Sequence, residues 1–138
     1  MAKESKIRWG WLKFMYIYTI VVAGAFGLAI LFDPNVMTKV FGWSTEEPIT
    51  LGIAGSVYLA FAIMAIFGLR EPLKFALILV LQLGYKSIWF VGVVLPLVIA
   101  GRLPSYALLA VGIFAVFVVG DLIAIPFRVV FGKGAERE

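Results

Sequence analysis

Apolar residues fall in four long runs along this chain, separated by short polar breaks. The runs extend over about Trp11 to Phe32, Pro48 to Leu69, Leu73 to Ala100 and Ser105 to Phe131. About 20 apolar residues, rising 1.5 Å each as a helix, cross the ~30 Å of hydrocarbon in a bilayer. Each run is continuously apolar rather than alternating with polar residues, which excludes a membrane β-barrel. Backbone polar groups inside lipid must be satisfied within their own segment, so each run is predicted to be a helix. The breaks agree with this reading. Asp33-Pro34 closes the first run. Ser44 and Glu47 have capping-box spacing ahead of Pro48, a residue suited to a first helical turn. Arg70-Glu71-Pro72 and Gly101-Arg102-Leu103-Pro104 are tight turns, and connections this short force antiparallel neighbours. The predicted fold is an all-α integral membrane protein: an antiparallel up-down-up-down four-helix transmembrane bundle, one domain over residues 1–138. The first connection is longer. In it Val36, Met37, Val40, Phe41 and Trp43 fall near one helical face. This predicts a short interfacial helix from Pro34 to Phe41, ended by Gly42. An ordered loop across the mouth of the bundle fits the same residues.

Composition strengthens the class and removes several functions. Of 138 residues, 63% are hydrophobic and 14% charged, against about 45–50% and 25% in soluble domains. Mean hydropathy is +1.06. There is no cysteine and no histidine. Disulfides, thiolate chemistry and the commonest metal ligand and general base are therefore excluded. The net charge of +4 does not point to nucleic acid, because the basic residues flank apolar runs and form no stripe. They set orientation instead. Lys3, Lys6, Arg8, Lys13, Arg70, Lys74, Arg128, Lys133 and Arg137 fall on one side, and only Lys39 and Arg102 on the other. Both termini are thus expected in the cytoplasm, with the protein in a bacterial inner membrane. The basic N-terminus and first apolar run resemble a signal peptide. The run continues to Phe32, however, and is read as a retained span.

Helices in lipid associate through close packing and polar contacts. Gly52, Ser56 and Ala60 place a small residue at every fourth position of the second run, as do Ala23 and Gly27 in the first. The stripe at Gly52, Ser56 and Ala60 could pack within the monomer, or form a seam with a second copy or a membrane partner. Trp9, Trp11 and Trp43 suit interfacial anchoring, while Tyr16 and Tyr18 lie deeper and could face the bundle.

Chemistry concentrates at two intramembrane charges, Lys86 in the third run and Asp121 in the fourth. Lys86 lies 13 positions from Leu73 and Asp121 lies 10 from Phe131, which gives depths of ~20 and ~15 Å from one face. Similar depth on antiparallel neighbours predicts a buried Lys86–Asp121 ion pair. Gln82 shares the face of Lys86 one turn earlier, Tyr85 and Trp89 border it, and Tyr58 reaches a similar depth from the second run. Ser56 and Thr19 are candidate outer members, and Arg128 lies on the Asp121 stripe nearer the cytoplasm. Pro126 is expected to kink the fourth helix and free the Leu122 carbonyl, and Pro96 to act likewise in the third. Three uses of this cluster stay open: a satisfied network fixing helix register, a ligand pocket built on Lys86, and a proton or ion pathway.

The layout resembles the DoxX-like group of small four-helix membrane proteins. The resemblance rests on Phe32-Asp33-Pro34, on the segment Val36 to Trp43, and on the glycine-rich stretch from Gly52 to Ala60. The strings Tyr85-Lys86-Ser87-Ile88-Trp89 and Gly120-Asp121-Leu122-Ile123-Ala124-Ile125-Pro126-Phe127 add to it. It implies a four-helix membrane fold and, as in some members, the role of a small subunit of a membrane redox enzyme. No catalytic residue is carried over. Small multidrug exporters need a carboxylate in their first span, quinone-reducing disulfide enzymes need cysteines, and membrane sterol isomerases use histidine; none of these is present here. The expected function is a non-catalytic inner-membrane accessory protein binding a lipid or small molecule at Lys86, Asp121, Gln82, Tyr85, Tyr58 and Trp89. No metal and no cofactor are expected. The alternatives are a small transporter for an anion or proton-coupled solute at the same site and, third, a membrane enzyme using Lys86, Asp121 and a tyrosine.

Overall fold

The computed structural model describes residues 7–43 and 47–132, and among these residues it contains helices and turns but no strand. Four helical stretches are long and apolar enough to cross a membrane: Trp9–Phe32, Pro48–Arg70, Ala76–Ile99 and Ser105–Ala124. The first is helix α1. It is followed by a short helix α2 (Asn35–Phe41) and by α3 (Pro48–Arg70). The third stretch begins as α4 (Ala76–Trp89), passes through one π turn (Phe90–Val94) and ends as α5 (Leu95–Ile99). The fourth is a single 3-10 turn (Ser105–Ala107) leading into α6 (Leu108–Ala124), and a last short helix, α7, covers Phe127–Phe131.

Two prolines account for the breaks inside the third and fourth runs. Pro96 has no N–H to give the carbonyl four residues back, and its ring crowds that carbonyl. The ladder slips by one residue, so that the Leu95 N–H donates to the Phe90 carbonyl, and the expected kink becomes a π turn. Pro126 acts more severely. A residue preceding proline is pushed out of the α region, and Ile125 is extended at φ −70° and ψ 123°. The fourth run is therefore not one helix to Phe131 but two, parted at Ile125-Pro126. At the start of the third run, residues 71–75 form turns and the helix begins at Ala76 rather than Leu73.

Local chemistry fixes the helix ends. A Glu47 side-chain oxygen accepts a hydrogen bond from the Thr50 N–H at 2.7 Å, with Pro48 in the first turn of α3. Glu47 itself is thus the N-cap, and that bond holds its carboxyl below the ordinary range. The expected capping-box partner, Ser44, lies outside the described residues. Helix α2 stops at Gly42, whose φ of 72° suits glycine, and where a Cβ would sit 2.9 Å from the Tyr106 ring. Met37 and Phe41 of α2 are buried, whereas Val36 and Val40 face outward. The short helix therefore lays one edge over the bundle, with Phe41 packed on Phe26 at 5.0 Å between ring centroids.

Helix α1 is the hub, touching α3 most extensively and also α2 and α6. It meets α3 in reversed register: Tyr16 against Gly68, Gly24 against Ala62, and Gly27 against Gly55 and Leu59. A Cβ on Gly27 would come 2.7 Å from the Leu59 backbone nitrogen, so the two backbones are as close as side-chain-free residues allow. The stripe at Gly52, Ser56 and Ala60 is not used for this contact. Ser56 and Ala60 are exposed, the Ser56 hydroxyl bonds its own helix at the Gly52 carbonyl, and nothing lies within 4 Å of a Cβ on Gly52. Trp9 and Trp11 are exposed, while Tyr16 is fully buried and donates to the Pro72 carbonyl at 2.6 Å.

Candidate functional site

The buried polar core of the site is assembled from three helices, each contributing one stripe, and α3 adds the Tyr58 ring. Helix α4 turns Leu79, Gln82 and Lys86 inward, α6 turns Phe114, Phe117 and Asp121 inward, and α1 supplies Met15, Tyr16 and Thr19. Thr19, Gln82, Lys86 and Asp121 are the buried polar or charged side chains among the described residues. They are arranged in two tiers.

One tier is a hydrogen-bonded relay across the three helices. The Thr19 hydroxyl donates to the Met15 carbonyl at 2.7 Å. The Gln82 amide nitrogen donates to the Thr19 oxygen at 3.2 Å and to Asp121 Oδ2 at 3.1 Å. The other carboxylate oxygen, Oδ1, is buried and has no hydrogen-bond partner among the described residues.

The other tier is an aromatic box around the Lys86 ammonium. Nζ donates to the Tyr85 hydroxyl. It lies 4.1 Å from the centroid of the Tyr85 ring, 4.2 Å from Phe117, 4.7 Å from Phe114 and 6.0 Å from Tyr58. A desolvated cation over an aromatic face gains about 2 kcal/mol. An unpaired charge at a span centre costs about 2.5–3.5 kcal/mol on the insertion scale. The box is therefore of the right size to hold an ammonium that has no direct anionic partner.

Among the described residues no carboxylate lies within 4.0 Å of that ammonium. The expected Lys86–Asp121 ion pair is not formed, and the ion pair within 4.0 Å among the described residues is the exposed Lys74–Glu71. The reason is register. Equal depth requires helices that end at Leu73 and Phe131, but they end at Ala76 and Ala124. Lys86 then lies 10 positions from its helix end and Asp121 only 3, ~15 Å against ~5 Å. Gln82, one turn before Lys86, comes level with the carboxylate. Phe117, one turn before Asp121, comes level with the ammonium.

The other expected members divide. Gln82, Tyr85 and Tyr58 join the cluster, and Trp89 borders it through Phe114 at 5.1 Å between centroids. Thr19 is a full member of the relay rather than an outer one. Ser56 faces away, and Arg128 is exposed on α7. The carbonyl drawing a side chain at the α6 break is Ile123, which accepts from the Arg8 guanidinium at 2.7 Å, and not Leu122. Phe114 and Phe117 are the members that sequence reasoning missed. Their signal was present: they precede Asp121 by seven and four positions, on the same helical stripe.

The walls around this cluster are apolar. A groove of ≈170 Å³ between α3 and α4 is lined by Val57, Ala60, Phe61, Met64, Ile78 and Leu81. Its wall residue Phe61 packs on the Tyr85 ring at 5.4 Å, so one aromatic side chain stands between that groove and the box. Chemically the cluster offers an ammonium donor and, among the described residues, a carboxylate oxygen without a hydrogen-bond partner, both in apolar surroundings. No family model, no curated protein and no solved structure matches the chain.

Proposed function

We propose that this chain is a multi-pass protein of a bacterial inner membrane that binds a small lipophilic molecule, without catalysis, at Lys86 and Asp121. In this reading the four apolar helices form an antiparallel up-down-up-down transmembrane bundle with both termini cytoplasmic, as the asymmetry of lysine and arginine favours. A DoxX-like accessory role fits the same layout. The observation that carries the reading is the orphan oxygen: among the described residues Asp121 Oδ1 is buried with no partner, and the Lys86 ammonium is buried in the same core. A buried acceptor without a partner costs about 1–3 kcal/mol.

The site defines the guest. It needs a carbonyl or anionic oxygen to accept from Lys86, a hydroxyl to donate to Asp121 Oδ1, and an apolar body for the rings of Tyr58, Phe114 and Phe117. Displacement of Phe61 would give sideways access from lipid through the α3–α4 seam.

Native mass spectrometry from mild detergent tests this. The wild-type chain is expected to carry a small-molecule adduct of one mass. Lys86→Met, which keeps the length of the stem in the aromatic box, is expected to fold and to lose that adduct. Identical spectra and identical solvent extracts from the two proteins would overturn the assignment.

A further inference from the structure

A second groove, of ≈470 Å³, lies between α1 and α6 and is walled by Trp11, Phe14, Val116, Val119, Gly120 and Ile123 among others. Its walls are almost entirely apolar. From Val116 to Ile123 it follows α6 for seven positions, ~10 Å of helix axis. At the Ile123 end the groove meets the break in the fourth run. The N–H that would continue the helix to the Ile123 carbonyl belongs to Phe127, and it is turned to Ile125 instead. Arg8 fills the vacancy, donating through Nη1 to the Ile123 oxygen at 2.7 Å. The break thus pins a guanidinium at one end of an apolar channel.

We infer that this groove holds one chain of an anionic phospholipid, with the phosphate taken by Arg8 and the first turn of α1. Three further observations carry the commitment to that occupant. Arg8 is exposed and immediately precedes α1, so in the proposed insertion, on which this inference rests, it sits where a spanning helix meets the headgroup layer. The guanidinium has five N–H donors, and Ile123 uses one of them among the described residues; its planar fork suits a phosphate. The first turn of α1 contains no acidic residue, and among the described residues no side chain caps it, so its N–H groups add to the pull on an anion. Exposed Trp9 and Trp11 flank the same end, at the level where indole rings favour the interface. The inference does not depend on Lys86 or Asp121.

The test uses the full chain in mild detergent with phosphatidylglycerol and phosphatidylcholine of identical acyl chains, read by native mass spectrometry. One basic side chain at an anionic surface is worth about a fivefold preference. The wild type is therefore expected to retain phosphatidylglycerol about fivefold over phosphatidylcholine. Arg8→Gln should bring the ratio near one, and Arg8→Lys should keep most of it. Val119→Trp, which fills the groove without touching Arg8, should reduce retention of both lipids. Equal retention of the two lipids by the wild type would overturn the inference, as would a preference that survives Arg8→Gln. A dimer that Val119→Trp abolishes while lipid retention stays unchanged would assign the groove to a second copy of the chain instead. Lys86→Met should leave the lipid ratio intact, which separates this result from failure of the Lys86 site.

Discussion

At the residue scale, two opposite charges are buried in one core and each is held by a different neighbour. Asp121 is bound by Gln82, and Lys86 by Tyr85 and three further rings. This makes a measurable distinction. Gln82→Leu strands Asp121 Oδ2 and leaves the Thr19 hydroxyl with its Met15 bond alone, and should cost about 1–3 kcal/mol in thermal or denaturant unfolding in detergent. A double-mutant cycle between Gln82 and Asp121 should return a coupling of about 1–2 kcal/mol, within the usual span for residues in direct contact. The cycle between Lys86 and Asp121 should return less than half of that. A direct ion pair predicts the reverse order, with each single neutralisation more damaging than the two combined. The reverse order would show that the charges close on each other in the folded protein. The identity of these charges was legible in the sequence, because an ionisable residue inside an apolar run stands out. Their partners were not, because a few positions of error at each helix end shift the antiparallel register by a turn and exchange Gln82 for Lys86 opposite the carboxylate.

At the element scale, the α1–α3 contact rests on which glycines face inward. Gly27→Ala puts a methyl group 2.7 Å from a backbone nitrogen and 2.9 Å from the Gly55 carbonyl oxygen, neither of which is a flexible side-chain end. The helices must separate, at the ~1–3 kcal/mol typical of overpacking. Gly52→Ala meets nothing within 4 Å, and should leave stability unchanged or raise it by up to about 1 kcal/mol through helix propensity. Melting temperatures of the two variants in one detergent check this; equal losses would mean that α3 is rotated from the position described. The contrast also explains what the pattern of small residues could and could not reveal. In a soluble helix, polar residues mark the outer face. Here both faces are apolar, so the phase of α3 is carried only by its small residues, and two stripes one position out of step, one through Gly52 and one through Gly55, compete. The helix ends were more legible where glycine or proline acts through its own backbone, as at Gly42 and Pro48. Pro126 announced a distortion but not its extent: a kink was expected, whereas the residue before the proline leaves the α region altogether and the helix ends at Ala124.

At the scale of the whole molecule, the proposed insertion makes a geometric demand independent of the site. Four spans with short turns put α2 on one side of the membrane and the α3–α4 turn on the other. The chain contains no cysteine, so the native sequence is already a clean background for single-cysteine labelling. Asn35, at the start of α2, and Glu71, in the turn after α3, are both exposed, and replacing either disturbs no core contact. In intact cells a membrane-impermeant maleimide should label Asn35→Cys and spare Glu71→Cys, with inside-out vesicles reversing the result. Labelling of both from one side would contradict four spans. Labelling in the opposite sense would keep the bundle but invert it, which would place Arg8 in the outer half of the bilayer. Nine of the basic residues would then face outward, against the bias that lysine and arginine impose on insertion. The labelling pattern thus ties the reading of charge along the chain to the depth at which Arg8 meets the headgroup layer.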